Sequence, residues 1–412
     1  MITNEKLLKC GKILKTPSLF INAKTKADGK LIKETIIRYP LNKANNGISQ
    51  IDGIVISSGD YSAVAPFLVP DIRAQLDPSF YSADKRIRLI DPATHFLFSG
   101  LEKDKDACCS VVEKWLPQLS NVVNSVARID AQKEKLDSSI QRIYPLLDAV
   151  LIQRLLEFQI RANADILINP SVPFSSSRRI NDQAEKTREM NRQGRVLLDT
   201  VLSRYKEQRD LMNLTVLNPS VLASTYVDNI LDATLQGNPD IIGIRLMNLD
   251  EKNSVETMNF LKFLKTLSSS GKPIVVFNVR EFGYVTFCYG ANAISMPIAK
   301  SPYMTKKKAS EKAPHEGSYY HSIEMIDYSY RSFPDNIRAK NYKLPCHCEI
   351  CDEFGSFTKI EKKQWNYFRK VHFLLVKNME MQELRKTDVP LNIALKDKFG
   401  RSQKTGYVAF LP

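Results

Sequence analysis

The 412-residue chain carries 59 Lys and Arg against 45 Asp and Glu, a net charge of +14, and 43% of its residues are hydrophobic. That apolar mass supports a substantial core, while no apolar run is long enough to cross a bilayer, which argues against a membrane protein. The positive excess points to a polyanionic partner, nucleic acid first among them.

The N-terminal stretch MITNEKLLKCGKIL is basic without an apolar core ending in small residues, so it is not expected to act as a secretory signal. Short β-rich runs then recur: SLFINA (18–23), GIVISS (53–58), RIRLID (86–91), DILINP (165–170), LTVLNP (214–219), IIGIRLM (241–247), PIVVFNV (273–279) and AISMPI (293–298). Between them lie helical segments, among them 143–161 and 255–267, with apolar positions at three- and four-residue intervals. Strands that are continuous apolar runs and alternate with helices predict a parallel sheet buried on both faces. Eight of them are enough to close a (β/α)8 TIM barrel, with a doubly wound open sheet as the alternative. In a barrel the strand ends would carry the chemistry, and Asp91, Asn169, Asn218, Asn248, Asp250, Asn278, Glu281 and Ser295 stand at or just past those ends.

After the eighth run the composition changes. Residues 301–340 open on a polar stretch with KKK at 306–308 and read as a basic insertion. Arg178 and Arg179, after the fourth run, join Lys306, Lys307 and Lys308 as candidate phosphate contacts on the strand-end face. LPCHCEICDEFG (344–355) follows, then a helical stretch at 365–386. Cys346, Cys348 and Cys351 form a C-x-C-x-x-C turn in a chain with only seven cysteines. This points to metal ligation in a reducing compartment, the cytoplasm by default, rather than to a disulfide framework. His347, between two of the cysteines, would point away from a shared centre. His372 on the following helix can complete a Cys3His tetrahedron, so a structural Zn2+ is expected. The domains are then a barrel at 1–300, the insertion at 301–340, a C-terminal zinc-binding subdomain at 341–390, and a tail at 391–412 packing on the barrel.

KLPCHCEIC and the helix containing VHFLLVKNM, placed after an eight-stranded α/β array, resemble the zinc turn and helix of the tRNA-guanine transglycosylase family. GKILKTPSLFINA resembles the family's opening strand, GIVISSGDYSAV its second strand segment, and RLIDPATHF the strand end that carries an acid/base aspartate. The resemblance covers nearly the whole chain, and it implies a base-exchanging enzyme with Asp91 at that aspartate's position. It also places Asn169, Asn218, Met247 and Ser295 at base-contacting positions. The departures are large: Pro92-Ala93-Thr94 replaces the SGG motif, Arg245-Leu246-Met247 replaces Gly-Gly-Leu, and Ser295 replaces the nucleophilic aspartate.

Base exchange needs a carboxylate to hold the sugar covalently and an acid/base group to move the proton, with the base flipped or single-stranded. Three routes are open. Asp91 does the covalent work, with Glu281 or His95 moving protons; Asp250 is a relocated nucleophile; or the chain is a silent paralogue that binds nucleic acid. The expected activity is exchange of guanine for a 7-deazaguanine-type base in DNA or tRNA, DNA slightly favoured. A homodimer or a partner subunit is compatible with either outcome.

Overall fold

The computed structural model describes residues 5–38, 51–57, 86–92, 94, 144–175, 179–223, 225–247, 249–251, 253–298, 318–323, 325–329, 344, 346–402 and 405–412. The chain opens with an antiparallel hairpin of β1 (Lys6–Leu7) and β2 (Ile13–Leu14). Nine parallel strands follow: β3 (Ser18–Ala23), β4 (Gly53–Ser57), β5 (Ile87–Asp91), β6 (Ile166–Ile168), β7 (Pro173–Phe174), β8 (Asp210–Leu217), β9 (Ile241–Leu246), β10 (Ile274–Phe277) and β11 (Ala293–Pro297). Strand β11 pairs with β3, aligning Ser295 with Phe20, and β6 pairs with β8, aligning Ile166 with Asp210. Those two pairings close eight strands into a parallel barrel, and the two-residue β7 extends the far end of β8. The outer layer comprises α1 (Lys26–Arg38), α2 (Ala149–Arg161), α3 (Ile180–Tyr205), α4 (Val227–Leu235), α5 (Ser254–Ser268) and α6 (Phe282–Phe287).

Strand alternation sorts the core into two clusters. Phe20, Val55, Leu89, Ile168, Met212 and Phe277 belong to the set that fills the lumen. Leu19, Ile54, Ile90, Leu167, Ile244 and Ile294 face the helices. Two glycines make room for the large lumen side chains. A Cβ on Gly53 would lie 2.5 Å from the Phe20 ring, and one on Gly243 would lie 2.7 Å from the Met212 sulfur. Leu8 and Leu14 from the N-terminal hairpin join the lumen cluster and close the end where the strands begin. Lys12 Nζ pins that plug to Asp165 at 2.7 Å, and the Lys9 backbone N–H donates to Asp210 at 2.8 Å. The C-terminal strand ends are therefore the face left for a site.

Element boundaries shift from the predicted ones for local reasons. The helix expected from residue 143 begins at Ala149, because Asp148 caps it by accepting the Leu151 N–H. The 26-residue α3 has no counterpart among the predicted helices, since its buried stripe includes polar Gln183, Thr187 and Asn191. Within the predicted basic insertion, Ser318–His321 and Ile326–Ser329 form an antiparallel hairpin, β12 and β13, with Tyr319 and Tyr320 buried. The hairpin contacts the helix that carries His372: Tyr319 stacks on the imidazole, and the Tyr320 carbonyl accepts from it.

Among the described residues, the hairpin is followed by α7 (Glu349–Phe354), α8 (Lys362–Lys386) and α9 (Leu391–Gly400). Helix α8 starts at a capping box in which Glu361 and Gln364 satisfy each other's backbone N–H groups. It packs against β3 and α1, with Lys370 2.9 Å from Asp28 and Arg385 donating to the Pro17 carbonyl at 2.7 Å. It thus serves both the cysteine turn, through His372, and the barrel's outer layer. The tail packs on α6, where Tyr407 meets Phe282 edge-on at 6.0 Å and Tyr289 donates to the Phe410 carbonyl at 2.8 Å.

Candidate metal centre and barrel mouth

The three cysteines and the histidine come together. The ligand atoms of Cys346, Cys348, Cys351 and His372 lie within 4.8 Å of one another, and all four residues are buried. Metal–ligand bonds of about 2.0 to 2.3 Å put the donors of a tetrahedron roughly 3.5 to 3.8 Å apart. Here His372 Nδ1 is 3.2 Å from the Cys348 sulfur and 3.1 Å from the Cys351 sulfur. The local chain produces this convergence. Cys348 leads into α7 and Cys351 sits on its first turn, which ends at Gly355 in the left-handed region at φ 71°.

The outer contacts favour a metal ligand over a plain core histidine. His372 Nε2–H donates to the Tyr320 carbonyl at 2.7 Å, which leaves the Nδ1 lone pair aimed at the sulfurs. The imidazole stacks on Tyr319 at 4.4 Å, and the Cys348 N–H donates to the Cys346 sulfur at 3.3 Å. A buried Cys3His group of this kind could hold a metal ion and is compatible with zinc. His347 is 91% exposed and points away from the cluster, as expected from its place between two ligands.

One step further along α8 lies a buried ionic cluster. Lys377 is completely buried, with Nζ 2.9 Å from Glu281 and 3.1 Å from Glu380, over the Tyr320 ring at 3.6 Å. Tyr284 and Tyr320 donate to the two Glu380 oxygens at 2.5 and 3.0 Å. Burial raises the Glu380 carboxyl, but Lys377, Lys398 and these hydrogen bonds outweigh it and hold the group below its ordinary value. Burial first, then the Glu380 charge, pushes both phenols well above theirs. Glu281, weighed from sequence as a proton carrier, is thereby locked against α8 rather than presented to the lumen.

At the C-terminal strand ends, Asp91 is 1% exposed and sits on the lumen face of β5, in register with Ser57. Its carboxylate forms an ion pair and hydrogen bond with Arg245 from β9. Arg245 is itself 7% exposed and lies over the Phe277 ring at 5.5 Å. Ser295 also faces the lumen, and its hydroxyl oxygen accepts the Asn278 N–H at 2.9 Å. Asn278 stands in the left-handed region at φ 63°, and its side-chain oxygen accepts from Asn22 at 3.3 Å. Among the described residues of this layer, Arg245 Nε and Asn22 Oδ1 have no hydrogen-bond partner.

The other expected site residues divide. Met247 packs against the lumen cluster at the mouth. Asn218 is half-buried, and its side chain accepts the Ser220 N–H, the local turn-forming use of an asparagine. Asn169 is not brought to the mouth. It turns outward between the barrel and α3, donating to Asn213 at 2.8 Å and lying where a Cβ on Gly194 would touch it. The physical reason is alternation: Ile166 and Ile168 point inward, so residue 169 points out. Asp250 is exposed, four residues past the end of β9. Arg179 precedes α3, half-buried, whereas Arg178, Lys306, Lys307, Lys308 and His95 lie outside the described residues.

Asn278 was expected among the strand-end residues, whereas Arg245 and Asn22 were missed as site residues. The available signal was a charged or amide side chain interrupting an otherwise apolar strand, in IIGIRLM and SLFINA. Among the described residues no helix is long and apolar enough to cross a membrane. A scan against protein-family models finds no match, and a search of curated proteins finds none either.

Proposed function

We propose that this chain is a nucleic-acid transglycosylase that exchanges guanine for a 7-deazaguanine-type base, with DNA favoured over tRNA. The observation that carries this reading is Asp91, a buried lumen-facing carboxylate at the C-terminal end of a barrel strand, held by Arg245. Its position is the one where (β/α)8 enzymes collect their chemistry. In the exchange, an Asp91 oxygen bonds to the sugar C1′ as the bond from C1′ to the base nitrogen breaks, and the departing base takes a proton from water, leaving a hydroxide to receive the incoming base's proton. The incoming base then bonds to C1′, releases Asp91 and gives up its own proton, so the two half-reactions balance. Ser295 is poorly suited to the covalent role, because its hydroxyl oxygen is engaged by the Asn278 N–H and an alcohol needs an adjacent base to attack.

The Cys3His group would be a structural Zn2+ site, since four protein ligands leave no open position for a substrate. It fixes β12 and α8 beside the barrel, and its free thiolate ligands suit a reducing, cytoplasmic setting. The net charge of +14 suits a phosphate backbone as partner, and a homodimer or a partner subunit fits the same surface. The second reading, a silent nucleic-acid-binding relative, is favoured by the neutralising Arg245 partner and by serine at 295.

The experiment that separates them is to trap protein with DNA and tRNA substrates under denaturing quench and map any adduct by peptide mass spectrometry. Attachment at Asp91 supports the enzyme. Attachment at Asp250 reassigns the nucleophile, and binding of nucleic acid without an adduct or base exchange favours the silent reading.

A further inference from the structure

Among the described residues of the strand-end lumen, two buried side-chain atoms stand without partners, one a donor and one an acceptor. Arg245 spends one arm on Asp91 and rests on Phe277, yet its buried Nε–H has no acceptor. Asn22 spends its amide nitrogen on Asn278, yet its buried carbonyl oxygen has no donor. Both side chains converge on the end of β10, one on the Phe277 ring and the other on the adjacent Asn278. An orphan donor and an orphan acceptor buried at the same strand-end face are costly unless a ligand completes them.

We infer that Arg245 and Asn22 are specificity-determining residues of the mouth, reading a planar heterocycle whose edge sets a carbonyl acceptor beside an N–H donor. The Arg245 Nε–H would donate to the carbonyl, and Asn22 Oδ1 would accept from the ring N–H. Adenine presents an amino group and an unprotonated ring nitrogen on that edge, so both contacts would be mismatched, and a site with buried polar groups discriminates strongly against such a ligand. Arg245 therefore has two functions, orienting the Asp91 carboxylate and reading the base. This inference rests on the proposed function for its substrate class, but its residues and its test are separate.

The test is equilibrium dialysis of the full-length protein against labelled hypoxanthine, guanine and adenine. Hypoxanthine and guanine should bind at least tenfold tighter than adenine. Asn22→Leu, close in volume, and Arg245→Lys, which keeps the charge beside Asp91, should each weaken hypoxanthine at least tenfold while adenine binding stays unchanged. Circular dichroism melts identify a variant that fails to fold. If Arg245→Lys fails in this way, Asn22→Leu alone decides the matter. Equal binding of adenine and hypoxanthine, no base bound by wild type at millimolar concentration, or unchanged hypoxanthine binding by folded variants would overturn the inference. Selective base binding without exchange in DNA or tRNA would keep these residues and sink the transglycosylase. Exchange with unaltered base selectivity in both variants would do the reverse.

Discussion

Two buried polar regions lie within this fold, and they are built in opposite ways. Around α8, His372 has a partner for each ring nitrogen, and Lys377 lies between Glu281 and Glu380, the second of which two tyrosines and Lys398 also engage. At the barrel mouth, Asp91 and Arg245 pair, but Arg245 Nε and Asn22 Oδ1 remain without partners. Burial alone does not separate structure from function, because both regions are deeply buried. The difference lies in the side chains named: Lys377, Glu380 and His372 have their polar atoms engaged, whereas Arg245 and Asn22 each keep one buried atom for a group that arrives later.

The sharpest way to break the comparison is to take metal from the first region. Cys348→Ser should abolish stoichiometric metal, read by mass spectrometry of protein purified without chelator, and cost several kcal/mol, because metal binding is folding free energy at such sites. Stoichiometric zinc in a Cys348→Ser, His372→Ala double variant would remove the site. Next comes Lys377→Met, which leaves Glu281 and Glu380 buried without their shared cation and should destabilise by about 3 to 5 kcal/mol in a denaturant melt. A loss below about 1 kcal/mol would mean the cluster is not the completed network described here.

The pH dependence has a definite sign. Glu380 in the folded state lies below its ordinary value of 4.5, so its contribution is present above that pH. It is lost as the pH falls below 4.5 through the folded value, because the unfolded chain binds the proton more readily. Glu380→Gln should flatten that acid limb of the stability curve. The smallest stability change is expected at the mouth. Asn22→Leu should shift stability by no more than about 1 kcal/mol, since it deletes an unpaired buried acceptor at the cost of one long hydrogen bond. A large loss would show that the mouth is structural after all.

Much of this was legible in the sequence, for identifiable reasons. Cysteines at 346, 348 and 351 carry their function in their spacing, and His372 on the next helix completes the set. The eight barrel strands were visible as apolar runs. The same property hid which residues face inward, because a strand buried on both faces has no polar alternation to set its phase. Asn169 was misplaced for that reason, and Arg245 and Asn22 were overlooked. The Lys377 cluster was out of reach because Glu281 and Lys377 are 96 positions apart and meet only when α8 packs on the barrel.

The measurement that bears most directly on the central claim is transfer of labelled guanine or 7-deazaguanine into DNA and tRNA by wild type, Asp91→Asn and Ser295→Ala, with metal content and melting temperature matched. The account expects incorporation by wild type, a loss of about 10²-fold or more in Asp91→Asn, and a smaller loss in Ser295→Ala. Incorporation that survives Asp91→Asn and disappears in Ser295→Ala would contradict it.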